Sequence, residues 1–279
     1  MSLLDTLDGE LQEEQQVSVK KDLSPVQDAG DYVIVRDIEC VDAYDNVFER
    51  YDEVWVPKAV EKDHAGEAMS FLPYNGIVHF EEKGSNWSLP SAALTLNLIL
   101  KILPRAVMKR SDGEYDVIDE ELKKILDGYH CESAEDGCGC GIHLQNSVVL
   151  YDLGQIVHYP GISDFIQNGS DGKTGIRLDF DRTKVGDCTI SEGIDQKGTR
   201  HFLRQFSGVK DLGKLLELED YYNWLSDNEI GLNFPWLDKA DEYGVRPQSV
   251  SIGGDYFSFS FAANGRLDLG ELARGVRLR

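Results

Sequence analysis

The segment from residue 130 to residue 143 contains residue types that bind metals. It reads HCESAEDGCGCGIH, and Cys131, Cys138, Cys140 and His143 supply three thiolates and an imidazole. Such donors bind zinc tetrahedrally, and the three glycines of the segment permit the tight turns that bring donors together. Because four protein ligands close the coordination shell, the segment predicts a structural zinc, and the rest of the sequence predicts no cofactor.

Two other interpretations of this Cys/His segment stay open. Its spacing differs from the paired Cys-x2-Cys of common zinc sites, so an exposed glycine-rich connection with free thiols is an alternative. A disulfide between Cys138 and Cys140 would be strained, and strained exposed disulfides are the labile, regulatory ones. His130 is a substitute ligand within the zinc hypothesis.

A cluster of acidic residues downstream offers oxygen ligands instead. Asp179, Asp181 and Asp187 would suit Mg²⁺ if the fold brought them near Glu192. In a chain with 50 acidic residues such clusters arise by chance, and outward positions on a strand account for the first two. A metal-dependent enzyme using either cluster is therefore the alternative hypothesis.

A third group of residues is aromatic. Tyr221, Tyr222 and Trp224 are followed closely by Phe234 and Trp236. Large amphipathic side chains anchor protein interfaces when they are exposed, so these five are the predicted interaction residues. The competing interpretation places them in the core.

Charge restricts the classes of partner. The chain of 279 residues has 50 acidic and 28 basic side chains, a formal charge of −22, and residues 1–50 alone hold 13 acidic against 4 basic. Nucleic-acid binding needs clustered Lys and Arg, so no direct nucleic-acid partner is expected. The predicted partner is another protein with a basic surface, and a homo-oligomer stays open.

The elements that must position these residues follow from periodicity and turn signals. Strands are predicted at 32–36, 53–56, 76–80, 147–151, 155–159, 176–181, 255–261 and 266–269, the last two separated by a turn at 263–265. Helices are predicted from Ser88 to Leu103, from Asp116 to Gly128, and over 209–227. The first of these helices is apolar on more than one side, which indicates central burial.

Together these elements predict an α+β fold with antiparallel sheets, a buried central helix and several further helices. The predicted organisation is an acidic N-terminal arm (1–30), an α+β region ending in the Cys/His segment (31–145), and a second α+β region (146–279). The last two are alternatively one continuous domain. No linker rich in Pro, Gly or Ser marks their boundary.

The leading hypothesis for function is a non-enzymatic, cytoplasmic interaction protein. The N-terminus lacks the basic start and apolar run of a signal peptide, and no apolar stretch is long enough to span a membrane. Specific versions are an inhibitor of a nucleic-acid-handling enzyme, as some phage counter-defence proteins are, and a subunit of a larger assembly such as a viral particle.

Overall fold

A computed structural model describes residues 25–59, 70–71, 79–129, 142–151, 155–159, 176–179, 188–189, 191, 194, 200, 203–204, 206–226, 231–232, 247–252, 261–265 and 271–279. The strands in chain order are β1 (Val26–Ala29), β2 (Tyr32–Val41), β3 (Val47–Pro57), β4 (Ser70–Phe71), β5 (Trp87–Ser88), β6 (Val107–Lys109), β7 (Tyr115–Val117), β8 (Ile142–Tyr151), β9 (Gln155–Tyr159), β10 (Ile176–Asp179), β11 (Cys188–Thr189), β12 (Gly231–Leu232), β13 (Pro247–Ile252), β14 (Phe261–Gly265), β15 (Glu271–Ala273) and β16 (Val276–Leu278). The helices are α1 (Ala92–Ala106), α2 (Glu120–Asp127) and α3 (Gly213–Ser226).

The first sheet has five antiparallel strands in the order β1-β2-β3-β16-β5. Its centre is the long β2–β3 hairpin, in which Val33 lies opposite Val56 and Val35 opposite Val54. These four valines are buried, because β-branched side chains pack well on the covered face of a pleated sheet. The sequence predicted both strands of the hairpin. The structure extends the first at its C-terminal end, to Val41, and the second at both ends.

The second sheet joins β10, β9, β8, β13 and β14, with β15 lying parallel to β8 and antiparallel to β4. The predicted hairpin at 147–151 and 155–159 is present, with Val149 opposite Val157. Two further pairs, β6–β7 and β11–β12, are antiparallel. The prediction for 263–265 was wrong, since these residues continue strand β14 rather than turning the chain.

Helix α1 is the buried central helix that the sequence predicts, but its ends differ from the prediction. It begins after Ser91, whose hydroxyl accepts the amide N–H of Leu94 at 3.1 Å. The predicted cap, Ser88, lies in β5 instead. Pro104 does not end the helix, which continues to Ala106, because a proline near the last turn removes only one internal hydrogen bond.

Helix α2 also begins later than predicted. Residues 115–117 form β7, and Asp119 caps the helix by accepting the N–H groups of Glu121 and Leu122 at 2.9 and 3.1 Å. The predicted end at Gly128 is confirmed. A third correction concerns 76–80: His79 and Phe80 are helical, as are residues 81–83, and 76–78 lie outside the described residues.

The core contains elements from both sides of residue 145. Its buried side chains come from β1, β2, β3, β6 and β16, from α1, α2 and α3, and from Tyr129, Leu203, Phe206, Val209 and Leu212 outside these elements. The strand β1 lies at 26–29, within the range assigned to the arm, and pairs with β2. The predicted fold class, α+β with antiparallel sheets and a buried central helix, is confirmed.

Candidate interaction surface

The predicted zinc ligands cannot be placed as a group. Cys131, Cys138 and Cys140 lie outside the described residues, and so does the substitute ligand His130. His143 lies in β8, opposite Ser251 of β13. Among the residues that the structure describes, no group of three His, Cys, Asp or Glu side chains is arranged to hold a metal ion. The zinc site stays a prediction.

The members of the acidic cluster cannot be placed as a group either. Asp179 is the last residue of β10, opposite Gln155. The other three members, Asp181, Asp187 and Glu192, lie outside the described residues. The Mg²⁺ hypothesis therefore stays a prediction as well.

The aromatic residues around α3 divide into three groups. Tyr221 and Tyr222 are completely buried. The Tyr221 hydroxyl donates to the Asp127 carboxylate at 2.9 Å, and that of Tyr222 donates to the Leu126 carbonyl at 3.0 Å. In this fold both side chains belong to the core and offer no surface to a partner.

Trp224 is half-buried, and its indole N–H donates to Glu114 at 2.8 Å. Its ring lies 5.2 Å from that of Tyr115, on the β6–β7 hairpin. These contacts attach α3 to the hairpin. Phe234 and Trp236, the remaining predicted interaction residues, lie outside the described residues.

Among the described residues, the most exposed aromatic side chain lies instead at the turn of the β2–β3 hairpin, residues 42–46, which we name the hairpin tip. One carboxylate oxygen of Asp42 accepts the N–H groups of Tyr44 and Asn46 at 2.8 and 2.9 Å. The Asp42 N–H donates to the Asn46 carbonyl at 2.8 Å. Asp45 takes a left-handed backbone conformation (φ 67°), which aspartate tolerates better than most residues. The tip is thus internally hydrogen-bonded.

A second set of contacts fastens the hairpin to the segment 203–210. The Arg204 guanidinium donates to the Asp45 carboxylate at 2.7 Å and to the Lys210 carbonyl at 3.0 Å. The Val41 N–H donates to the Gly208 carbonyl at 2.9 Å. The tip is therefore held both within the turn and from outside it.

Tyr44 is 75% exposed on this ordered turn, and the adjoining Val47 and Phe48 are 44% and 42% exposed. The surroundings are acidic, since residues 37–52 contain six carboxylates and one basic side chain, Arg50. Arg50 forms a salt bridge with Glu39. The region therefore combines exposed aromatic and aliphatic side chains with a surplus of carboxylates.

Polar side chains under the hairpin connect it to α1. The Ser91 hydroxyl lies 3.2 Å from the Glu49 carboxylate, and the Asn97 side-chain amide donates to the Cys40 sulfur at 3.7 Å. Burial raises the pKa of Glu49, although hydrogen bonds from Ser91 and Tyr51 oppose that rise. Glu49 is thus a partly desolvated carboxylate near the turn of the hairpin, where the hairpin contacts α1.

Cys40 lies in the same polar group and is completely buried. Burial is the main cause that raises the pKa of its thiol, and the neighbouring Glu49 carboxylate adds to it. A protonated, buried thiol is a poor nucleophile and a poor metal ligand. Cys40 therefore acts as a small core side chain.

Sequence reasoning missed the hairpin tip although its signal was present. The run Asp42-Ala-Tyr-Asp-Asn46 places three residues that favour turns between two strand-like segments. Tyr44 is a single aromatic residue, whereas the predicted interaction residues were chosen because several aromatic residues lie close together near residue 221. In this chain the aromatic residue within a turn, Tyr44, is exposed, whereas Tyr221 and Tyr222, within a helix, are buried.

Among the described residues, no helix has the length and apolar character needed to cross a membrane. Comparison with known proteins gives no relative: no family model matches the chain, and neither the curated proteins nor the solved structures contain a significant match.

Proposed function

We propose that this protein is a non-enzymatic binding protein that contacts a protein with a basic surface through the hairpin tip and the residues beside it. The single observation that supports the proposal is the exposed Tyr44 on a turn that is hydrogen-bonded internally. No family or structural relative bears on this function.

The fixed conformation of the hairpin tip lowers the free-energy cost of binding. Association costs free energy whenever a loop must be fixed, and a turn already held by Asp42 and by Arg204 avoids much of that cost. Tyrosine offers a large contact area with few rotatable bonds and is frequent among residues that dominate binding energy. Tyr44 is therefore the proposed anchor.

The charge of the region determines the kind of partner. Six carboxylates within residues 37–52 attract Lys and Arg side chains and repel acidic surfaces. A basic site on a nucleic-acid-handling enzyme has this chemistry, so the inhibitor hypothesis is one specific version of the proposal. Incorporation into a larger assembly is another, since it needs only a basic neighbouring subunit.

Affinity purification from the native source, quantified by mass spectrometry, tests the proposal. The Tyr44→Ser variant should lose at least about tenfold of the captured partner, because it removes the anchor and leaves the turn intact. The matched control is Met108→Ser, which removes an apolar side chain that is 56% exposed elsewhere on the surface. Equal capture by wild type and Tyr44→Ser would contradict the proposal, and so would a failure to capture any partner.

A further inference from the structure

The two faces of the first sheet differ in chemistry. One face packs on the core through buried valines, among them Val54 and Val276. Successive residues of a strand point to opposite faces, so Arg277 lies on the side away from Val276. Trp55 and Trp87 are both paired in register with Arg277 and therefore lie on that side too. A row of ring, guanidinium and ring thus crosses β3, β16 and β5.

Another ring and two more cations adjoin this row. The Tyr32 ring lies 5.9 Å from that of Trp55 and 6.2 Å from that of Trp87. The Arg279 guanidinium lies 4.5 Å from the centre of the Trp55 ring, and the Lys83 ammonium lies 5.4 Å from that of Trp87. We name this group the aromatic face, and its members are Tyr32, Trp55, Lys83, Trp87, Arg277 and Arg279.

The aromatic face is accessible and contains unsatisfied donors. Its three rings and Arg277 are half-buried, and Lys83 is exposed. Two of its nitrogen atoms, Nε1 of Trp55 and Nε of Arg277, are buried and have no hydrogen-bond partner within the described part of the chain. A buried N–H group without an acceptor is unfavourable, so an acceptor oxygen brought by a ligand would stabilise both.

The local charge of the aromatic face is opposite to the formal −22 of the whole chain. Glu53, on the same side of the sheet, is engaged by Arg36 at 3.1 Å. The exposed Glu81 and Glu82 precede Lys83, so the two arginines are the main cations of the face. The acidic hairpin tip lies about 25 Å along the strands. Charges more than about 8 Å apart are largely screened at physiological ionic strength, so the net charge does not decide what this face binds.

We propose that the aromatic face binds single-stranded nucleic acid. Unpaired bases stack on aromatic rings and on guanidinium planes, and phosphates bind Arg and Lys. The order of ring, guanidinium and ring, across about 10 Å of sheet, matches the alternation of base, phosphate and base along a single strand. This site lies apart from the hairpin tip and does not depend on the proposed function.

The chemistry of the face favours this ligand over two others. A duplex keeps the faces of its bases stacked inside the helix, where the rings cannot reach them. An acidic polypeptide supplies carboxylates for the arginines but has few flat rings to stack. A single strand uses the rings and the cations together.

Fluorescence anisotropy of a labelled oligothymidine of about ten nucleotides, titrated with the full chain at about 50 mM salt, tests the proposal. The oligothymidine should bind, and the logarithm of the binding constant should fall with the logarithm of the salt concentration with a slope of about −2. This slope follows from three cations that each contribute about −0.7 on a single strand. An absence of binding at this salt concentration would overturn the inference.

Two unlabelled competitors separate stacking from charge. A duplex of the same length keeps the phosphates but hides the base faces, and polyglutamate keeps negative charge but has no rings. Both should displace the labelled oligothymidine at least about fivefold less effectively than unlabelled oligothymidine does. Equal competition by the duplex or by polyglutamate would show that the face recognises negative charge alone, which overturns the inference.

A substitution at the centre of the row tests the phosphate contact. Arg277→Gln should weaken oligothymidine binding at least about fivefold and make the salt slope shallower by about 0.7, because one phosphate contact is lost. The matched control is Arg105→Gln, which removes an exposed cation at the end of α1 and should leave the slope unchanged. Equal effects of the two variants would mean that overall charge governs binding, and the inference would be wrong.

A second substitution tests stacking. Trp87→Leu keeps an apolar side chain but removes a ring, and should weaken binding at least about fivefold without changing the salt slope. Tyr44→Ser removes an exposed ring at the hairpin tip and should leave oligothymidine binding unchanged. Circular dichroism checks folding, and if Trp87→Leu does not fold, Arg277→Gln decides. Equal weakening by Tyr44→Ser, or unchanged binding by a folded Trp87→Leu, would overturn the inference.

Discussion

The aromatic residues of helix α3 and those of the β2–β3 hairpin have opposite surroundings. Tyr221 and Tyr222 are completely buried, whereas Tyr44 is 75% exposed. The two buried hydroxyls find acceptors on α2, at Asp127 and at the Leu126 carbonyl. The polar tips of the buried rings thus help to join α3 to α2.

The difference shows that aromatic density indicates packing in this protein rather than binding. Several aromatics at helical spacing give α3 a large apolar surface, which is most stable against α1 and α2. Tyr44 lies in a turn rather than in a helix, and three quarters of its surface is exposed. Exposure on an ordered turn, rather than the number of rings, identifies the candidate surface.

Truncation should separate the two regions most clearly. Replacing Tyr222 with alanine removes a completely buried ring and its hydrogen bond, and should lower the free energy of unfolding by about 3–5 kcal/mol. Tyr44→Ala should change it by less than about 0.5 kcal/mol, because the ring is largely in solvent. Urea denaturation of both variants measures the contrast, and a similar loss in each would show that the hairpin tip is part of the core.

A smaller but still large effect is expected at Gly208, where the segment 203–210 passes between β2 and α1. Its φ of +62° is unfavourable for other residues, and an added Cβ would lie 2.6 Å from that of Ala93 and 2.9 Å from that of Cys40. Gly208→Ala should therefore destabilise the protein by about 2–4 kcal/mol and loosen the hairpin anchored there.

The matched control for this substitution is Gly30→Ala. Gly30 also has a positive φ, +76°, but its missing Cβ faces open space. The backbone cost alone is about 1 kcal/mol, so thermal denaturation of the two variants separates strain from crowding. Equal losses would mean that β2 and α1 move apart to accept the methyl group.

Several elements could be predicted from the sequence because local signals agree with the tertiary structure. The alternating valines of β2 and β3, the hairpin of β8 and β9, and Gly128 at the end of α2 are of this kind. Their side chains pack in the way that their own periodicity suggests.

Other features depend on contacts that the sequence does not reveal. Pro104 stays helical because α1 is buried on most sides, so packing offsets the lost hydrogen bond. Strand β16 lies between β3 and β5, and both of these strands are more than 180 residues earlier in the chain.

A loss of stability of intermediate size is expected at the start of α1, where Ser91 contacts the hairpin. Ser91→Ala removes the N-cap of α1 and a hydroxyl beside Glu49, and should cost about 1 kcal/mol. Ser88→Ala, at the cap predicted from sequence, should cost less, because that hydroxyl donates only to the neighbouring Leu89 carbonyl. Chemical denaturation ranks the two, and a larger loss at Ser88 would contradict the observed helix start.

The smallest expected effect is a gain in stability from Glu49→Gln. Because burial raises the pKa of Glu49, the folded chain binds this proton more tightly than the unfolded chain does. The resulting stabilisation is complete below the ordinary pKa of 4.5 and is lost as the pH rises through the folded value. At pH 7 this contribution is reduced, and a neutral glutamine that still accepts from Ser91 should therefore stabilise the chain by less than about 1 kcal/mol. Near pH 4, where wild-type Glu49 is already protonated, the two chains should unfold at similar temperatures. A variant less stable than wild type at pH 7 would instead mean that hydrogen bonds to Glu49 stabilise its ionised form. The contact between Glu49 and α1 would then stabilise the fold as an ionic hydrogen bond.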